Sequence, residues 1–171
     1  TLIRPQGREM AKRIKVVQPT DSSKNTTALH RNCSVSETDW SILAGCWHPV
    51  AYAHEVTDKP VPAKLLDVEL VIYRTSNGIG VARDICPHRG TRLSGGWVKD
   101  DRIVCPMHGL CFDRSGMCTK IPSVSDANAR IPPRMRLQSL LSEERYGIIW
   151  AFLSETPSHA LPDWPGIGDP T

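Results

Sequence analysis

Two short segments of this 171-residue chain carry paired metal-binding side chains: Cys86-Pro87-His88-Arg89-Gly90 and Cys105-Pro106-Met107-His108-Gly109. Each offers one thiolate and one imidazole close together, with a glycine just beyond. Cys-x-His and Cys-x-x-His put sulfur and nitrogen donors within a short length of backbone, so one loop can reach two neighbouring metal ions. Pro87 and Pro106 each fix φ just after a cysteine and remove an N–H that would otherwise need a partner. Gly90 and Gly109 let the backbone turn tightly and bring N–H groups near the sulfurs. The run 91–104 is long enough to leave the site, turn at Gly95-Gly96 and return in a strand at 102–104.

Two kinds of centre accept this donor set. A structural zinc site takes two Cys and two His in a tetrahedron, but its usual patterns pair Cys with Cys and His with His. Here each loop mixes them. The mixed arrangement is what a Rieske [2Fe–2S] centre needs, where two cysteines hold one iron and two histidines replace cysteine on the other.

The two loops resemble the Rieske domain of the Rieske non-haem iron oxygenases, the aromatic-ring-hydroxylating dioxygenases and related demethylases. The likeness extends to Trp47-His48-Pro49-Val50, to Phe112-Asp113 with Gly116, and to Glu144-Arg145-Tyr146-Gly147. It covers roughly residues 40–154 and is similar to the N-terminal part of the oxygenase α subunit. The resemblance implies that Cys86 and Cys105 bind the buried iron that stays ferric, while His88 and His108 bind the iron that changes valence. It further implies a reductase or ferredoxin as electron donor, a mononuclear-iron catalytic domain as acceptor, His108 as the exit, and a homotrimer where the chain is part of an oxygenase. Oxygenase members often carry an aromatic where Met107 stands and a Trp where Leu110 stands; neither position is a ligand.

The high-potential Rieske proteins of respiratory and photosynthetic membranes are a poorer match. They carry two further bridging cysteines at the positions of Thr91 and Met107, and hydroxyls near the cluster sulfurs at the positions of Leu110 and Phe112. Fewer hydrogen bonds to sulfur leave the reduced, more negative cluster less stabilised. The expected potential is therefore toward the low end of the Rieske range, roughly −150 mV rather than +300 mV.

The elements that must position these loops read as mostly β. Ser36 caps a short helix with Asp39 in its first turn, and Gly45 ends it. Strands are predicted at 47–53, 65–66, 69–74, 79–85, 102–105, 110–113, 134–140 and 147–153, with Asn77-Gly78 a hairpin turn supported by Val71-Ile72-Tyr73. Many short strands at this spacing predict small antiparallel sheets, and the resemblance implies a Rieske-type fold with the two cluster-binding loops at its tip. The expected division is a basic N-terminal arm over 1–35, the Rieske domain over 36–154, and a Pro/Gly-rich linker or tail over 155–171. That last stretch holds Pro157, Pro162, Pro165 and Pro170 and cannot continue a sheet.

Composition narrows the function classes. With 40% hydrophobic residues the chain can bury a core. Its longest apolar stretch, Ile148-Ile149-Trp150-Ala151-Phe152-Leu153, is too short to span a bilayer, and no secretory apolar region opens the sequence. Arg4, Arg8, Lys12, Arg13, Lys15, Lys24 and Arg31 face only Glu9 and Asp21 in the first 31 residues, although the whole chain is only +3. Such an arm is a solvated tail, a contact for an acidic partner or a remnant of a targeting segment. No aromatics interleave with the basic residues, so nucleic-acid binding gets no support. Iron–sulfur assembly favours a reducing compartment, cytoplasm or an organelle matrix. There Cys33, Cys46, Cys111 and Cys118 are expected as free thiols, although a bridge between Cys111 and Cys118 across a hairpin is sterically open.

A whole oxygenase also needs an iron held by two His and a carboxylate. Outside the loops stand His30, His48, His54 and His159. His48 and His54 have an even separation that a regular strand would place on one face, yet the Trp-His-Pro-Val stretch is structural in the family. The expectation is an isolated, truncated or naturally separate Rieske domain: an oxidoreductase component that does not oxygenate by itself. A stand-alone Rieske ferredoxin and a structural zinc module are the alternatives.

Overall fold

The computed structural model describes residues 33–124, 130–164 and Ile167. Its order is α1 (Glu37–Leu43), β1 (His48–Tyr52), β2 (Val61–Leu65), β3 (Val68–Thr75), β4 (Gly78–Arg83), β5 (Trp97–Lys99), β6 (Arg102–Val104), β7 (Cys111–Phe112), β8 (Cys118–Lys120), β9 (Ser139–Leu140), β10 (Ser142–Arg145) and β11 (Ile148–Ala151). Short 3-10 turns lie at Ala53–Glu55 and Leu93–Gly95. Three antiparallel sheets result: β1-β11-β10, β2-β3-β4-β9 and β5-β6-β7-β8. The fold is mainly β, as the strand spacing and the resemblance implied.

The middle sheet is covered on both faces, which is why β3 reads as a nearly unbroken apolar run. Side chains alternate along it. Val71, Tyr73 and Ala82 join one core with Cys86, Leu93, Ile103, Cys105, Leu110 and Phe112. Leu70, Ile72 and Val81 join the other with Trp40, Val56 and Ile149. The first core is the ground under the two cysteine loops. Tyr73 opposes Gly80 across the β3–β4 ladder, and its ring lies flat over that glycine. Its phenol donates to the Asp113 carbonyl at 3.1 Å, and burial pushes its ionisation well above the ordinary phenol range.

Helix α1 starts as expected: Ser36 Oγ accepts from Asp39 N–H at 3.2 Å, and Trp40 packs inward as the buried residue of its turns. Arg74 ties two sheets, donating to the carbonyls of Val56 (2.7 Å) and Ala53 (2.9 Å) and pairing with Glu144 (3.0 Å).

Several strand boundaries differ from expectation. Pro60 and Pro62 mask β2, which nonetheless pairs in register with β3 from Val61 to Leu65. Gly95-Gly96 is not a bare turn; it leads into β5, which pairs with β6. The stretch 134–138 is not a strand, although Met135 and Leu137 are buried, and only the bridge Met117↔Arg136 forms there. The β3–β4 turn falls one residue early, since Thr75 pairs with Gly78. Segment 154–164 folds back over the first sheet: Leu161 is buried, Tyr146 Oη donates to Asp163 at 2.6 Å, and Trp164 packs on Tyr146 and Trp150. At the other end, Ser34 N–H and Oγ donate to Asp67 at 2.9 and 3.0 Å. The basic arm through residue 32 lies outside the described residues, as does His30.

Candidate metal centre

The two Cys–His loops are built alike despite their different spacing. In the first, which leaves β4, Cys86 N–H donates to the Thr91 carbonyl and Gly90 N–H to the Cys86 carbonyl, both at 2.8 Å. In the second, which joins β6 to β7, Cys105 N–H donates to the Leu110 carbonyl at 2.9 Å and Gly109 N–H to the Cys105 carbonyl at 3.0 Å. Both closures need a left-handed residue at the glycine, and Gly90 and Gly109 have φ of +73° and +69°; a side chain there would be strained. The remaining loop amides are free to turn inward. Those of His88 and Arg89 donate to the Cys86 sulfur, and those of Met107 and His108 to the Cys105 sulfur. The loops also touch at their outer edge, where Thr91 Oγ1 donates to Met107 Sδ at 3.0 Å.

The structure brings the predicted residues together as two pairs, Cys86 with Cys105 and His88 with His108. Cys86 and Cys105 are each 1% exposed and share a hydrogen bond between their side chains. That shared bond, reinforced by burial, pushes the Cys86 thiol up, while it brings Cys105 down to about 6. Cysteine binds metal as thiolate, so a metal bound at this pair would displace the proton of their shared bond. The His88 and His108 rings lie 4.8 Å apart, centre to centre, at 68°. Burial first, then His108 and Arg89, pushes the His88 imidazole down and so favours its neutral, ligating form.

The donors therefore stand as a buried sulfur pair and a more exposed imidazole pair. Among the described residues no three His, Cys, Asp or Glu side chains converge on one ion position. His88 Nδ1 is buried with no hydrogen-bond partner. A buried ring nitrogen without a partner is costly, and a metal bond removes that cost. Two sulfurs, two imidazoles and inward amides fit a [2Fe–2S] cluster.

The other sequence candidates do not join them. His48 Nε2 bonds the Leu43 carbonyl at 2.8 Å, and His54 stacks on Tyr52, so the pair shares no site. His159 contributes its carbonyl to Trp47 Nε1. Cys111 pairs with Lys120 and Cys118 with Phe112, so the two cysteines are not opposed across their hairpin, and every cysteine is a free thiol. The sequence pattern alone did not single out Asp84. It is buried behind the first loop and bonded to Ser94, and an aspartate two residues before a ligand cysteine was its available signal.

The family model of the Rieske [2Fe–2S] domain matches residues 46–139. The chain belongs to the Rieske [2Fe–2S] domain family. Its similarities lie on the oxygenase side. It is 32% identical to the 5,5'-dehydrodivanillate O-demethylase oxygenase subunit of Sphingobium sp., over 72% of this chain and 30% of that protein. It is 34% identical to methylxanthine N1-demethylase NdmA of Pseudomonas putida, over 72% of this chain and 37% of that protein. The crystal structure of dicamba monooxygenase bound to dicamba superposes with a TM-score of 0.65 at 32% identity, covering 71% of this chain and 37% of that one. This Rieske domain thus spans about a third of the length of those relatives. No helix among its described residues is long and apolar enough to cross a membrane.

Proposed function

We propose that Cys86 and Cys105 hold one iron and His88 and His108 the other of a Rieske cluster, and that this domain, spanning about 36–154, relays electrons from a reductase or ferredoxin to a mononuclear iron in a catalytic portion of an oxygenase. The carrying observation is the separation of the donors into a buried sulfur pair and an imidazole pair with an orphaned His88 Nδ1. The bound cluster supplies a one-electron couple whose imidazole ligands raise its potential above that of plant-type ferredoxins.

The chain's own residues do the rest. The buried core beneath Cys86 and Cys105 keeps water from the sulfurs. The amides of His88, Arg89, Met107 and His108 donate to those sulfurs and stabilise negative charge there. His108, exposed where His88 is half-buried, faces the partner and is the exit for the electron. Demethylation or hydroxylation of an aromatic substrate would occur in the catalytic portion, as the names of the relatives suggest for those proteins.

Anaerobic reconstitution followed by iron and acid-labile sulfide analysis tests this. The expected content is about two of each per chain, with a rhombic EPR signal after dithionite reduction. Colourless protein that binds one zinc ion instead would overturn the proposal.

A further inference from the structure

The first ligand loop is fastened from behind by a single buried carboxylate. Asp84 is 5% exposed and accepts two hydrogen bonds from one residue: Ser94 N–H at 2.8 Å and Ser94 Oγ–H at 2.6 Å. Its own N–H donates to the Glu69 carbonyl at 2.9 Å. No Lys, Arg or His among the described residues forms an ion pair with it. A carboxylate buried without a countercharge is uncommon in a fold unless its oxygens are satisfied.

The position of Ser94 makes this bond more than a local tie. It lies in the 3-10 turn Leu93–Gly95, whose Leu93 side chain is fully buried in the core that contains Cys86 and Cys105. A Cβ on Gly95 would stand 3.9 Å from Pro106 Cγ, in the second loop. Asp84 therefore connects the base of the first loop to the turn on which the second loop rests. Its charge also sits two residues from a ligand cysteine, inside the low-dielectric core, where it opposes the arrival of an electron.

We propose that Asp84 is a positioning residue for the cluster: through Ser94 it holds the two ligand loops in register, and through its charge it holds the reduction potential down. This rests on the ligand assignment above, so the wild-type chain is measured first. Failure of the wild type to take up iron and sulfide would overturn that assignment, whatever the variants do.

With a loaded wild type, three variants separate the roles. Asp84→Asn preserves shape and an oxygen for Ser94 N–H but removes the charge; its expected result is wild-type cluster content with a midpoint potential shifted positive. Asp84→Ala leaves the Ser94 amide without an acceptor, and severalfold faster loss of visible absorbance to a chelator is expected. Ser94→Ala keeps the amide bond and loses the hydroxyl, giving an intermediate rate. Circular dichroism checks that each variant is folded, and if Asp84→Ala is not, Ser94→Ala carries the retention test. A wild-type potential in Asp84→Asn overturns the charge role, since a purely structural residue would leave the potential unchanged. Wild-type retention in Asp84→Ala, or in Ser94→Ala where that variant carries the test, overturns the positioning role.

Discussion

Replacing Gly96 with alanine would place a methyl group on the carbonyl oxygen of Val104, the residue just before Cys105; the same methyl would stand 3.1 Å from the Leu93 oxygen and 3.2 Å from the Val104 carbonyl carbon. All three contacts are backbone, so no side-chain rotation relieves them. Overpacking of this kind costs about 1–3 kcal/mol, and the rigidity of the contacts puts Gly96→Ala near 3 kcal/mol, roughly a hundredfold in the folding equilibrium. For a chain of this size, that is a fall in Tm on the order of 6–12 °C. Gly95 is the matched control. A Cβ there meets only Pro106 Cγ at 3.9 Å, an ordinary contact, and its backbone does not require glycine. Gly95→Ala should be neutral or stabilising by about 0.4–1 kcal/mol, because alanine restricts the unfolded chain more than glycine does. Urea denaturation of both variants, with the midpoint converted through the measured m-value, gives the comparison directly. Cluster absorbance should fall in Gly96→Ala only, since the displaced segment is β6 leading into Cys105. Equal effects at the two positions would refute the reasoning.

Three further outcomes are expected. Gly80→Ala would bring a methyl within 2.5 Å of the Tyr73 ring, which is held by its bond to Asp113, and should cost about 1–3 kcal/mol by thermal denaturation; no change would show that the ring is free to move. The Asp67 carboxyl, held down by the Ser34 amide, then the Ser34 hydroxyl and Lys64, should titrate at about 2 by NMR, and Ser34→Ala should raise that value. Because its folded pKa lies below the unfolded one, Asp67 contributes stability above the ordinary carboxylate range and loses it as pH falls from about 4 toward 2. Finally, Leu110 and Phe112 are apolar side chains packed in the core beneath the cysteine loops. With no hydroxyl from them to donate to sulfur, a potentiometric titration should give a midpoint near the low end of the Rieske range, roughly −150 mV, and a strongly positive value would contradict that inference.

The four residues proposed as ligands stood out in the sequence because donor chemistry leaves little freedom: Cys and His at short spacing, with glycine behind them, suit few sites besides a metal centre. The loop geometry that equalises the two spacings was not legible, because it resides in backbone hydrogen bonds from Cys86 to Thr91 and from Cys105 to Leu110. Strands failed where local signals opposed tertiary pairing. The strand expected at 65–66 starts earlier, at Val61, because β2 lies at the edge of its sheet, where the missing amide hydrogen of Pro62 is tolerated. Residues 142–145, Ser-Glu-Glu-Arg, carry no apolar alternation, yet β10 pairs along β11 at a sheet edge. Conversely, the alternation of Met135 and Leu137 reported burial correctly and pairing incorrectly, since packing beneath the loops needs apolar side chains but no ladder. Asp84 went unread because its partner, Ser94, becomes a neighbour only after the chain has circled the first loop.

The central claim is mixed ligation, with two imidazoles on one iron of the cluster. Pulsed EPR on dithionite-reduced protein carrying nitrogen-15 histidine addresses it most directly. Two strongly coupled histidine nitrogens are expected, falling to one when either His88 or His108 is replaced by cysteine. A signal without histidine nitrogen coupling, or no signal from iron-loaded protein, would contradict it.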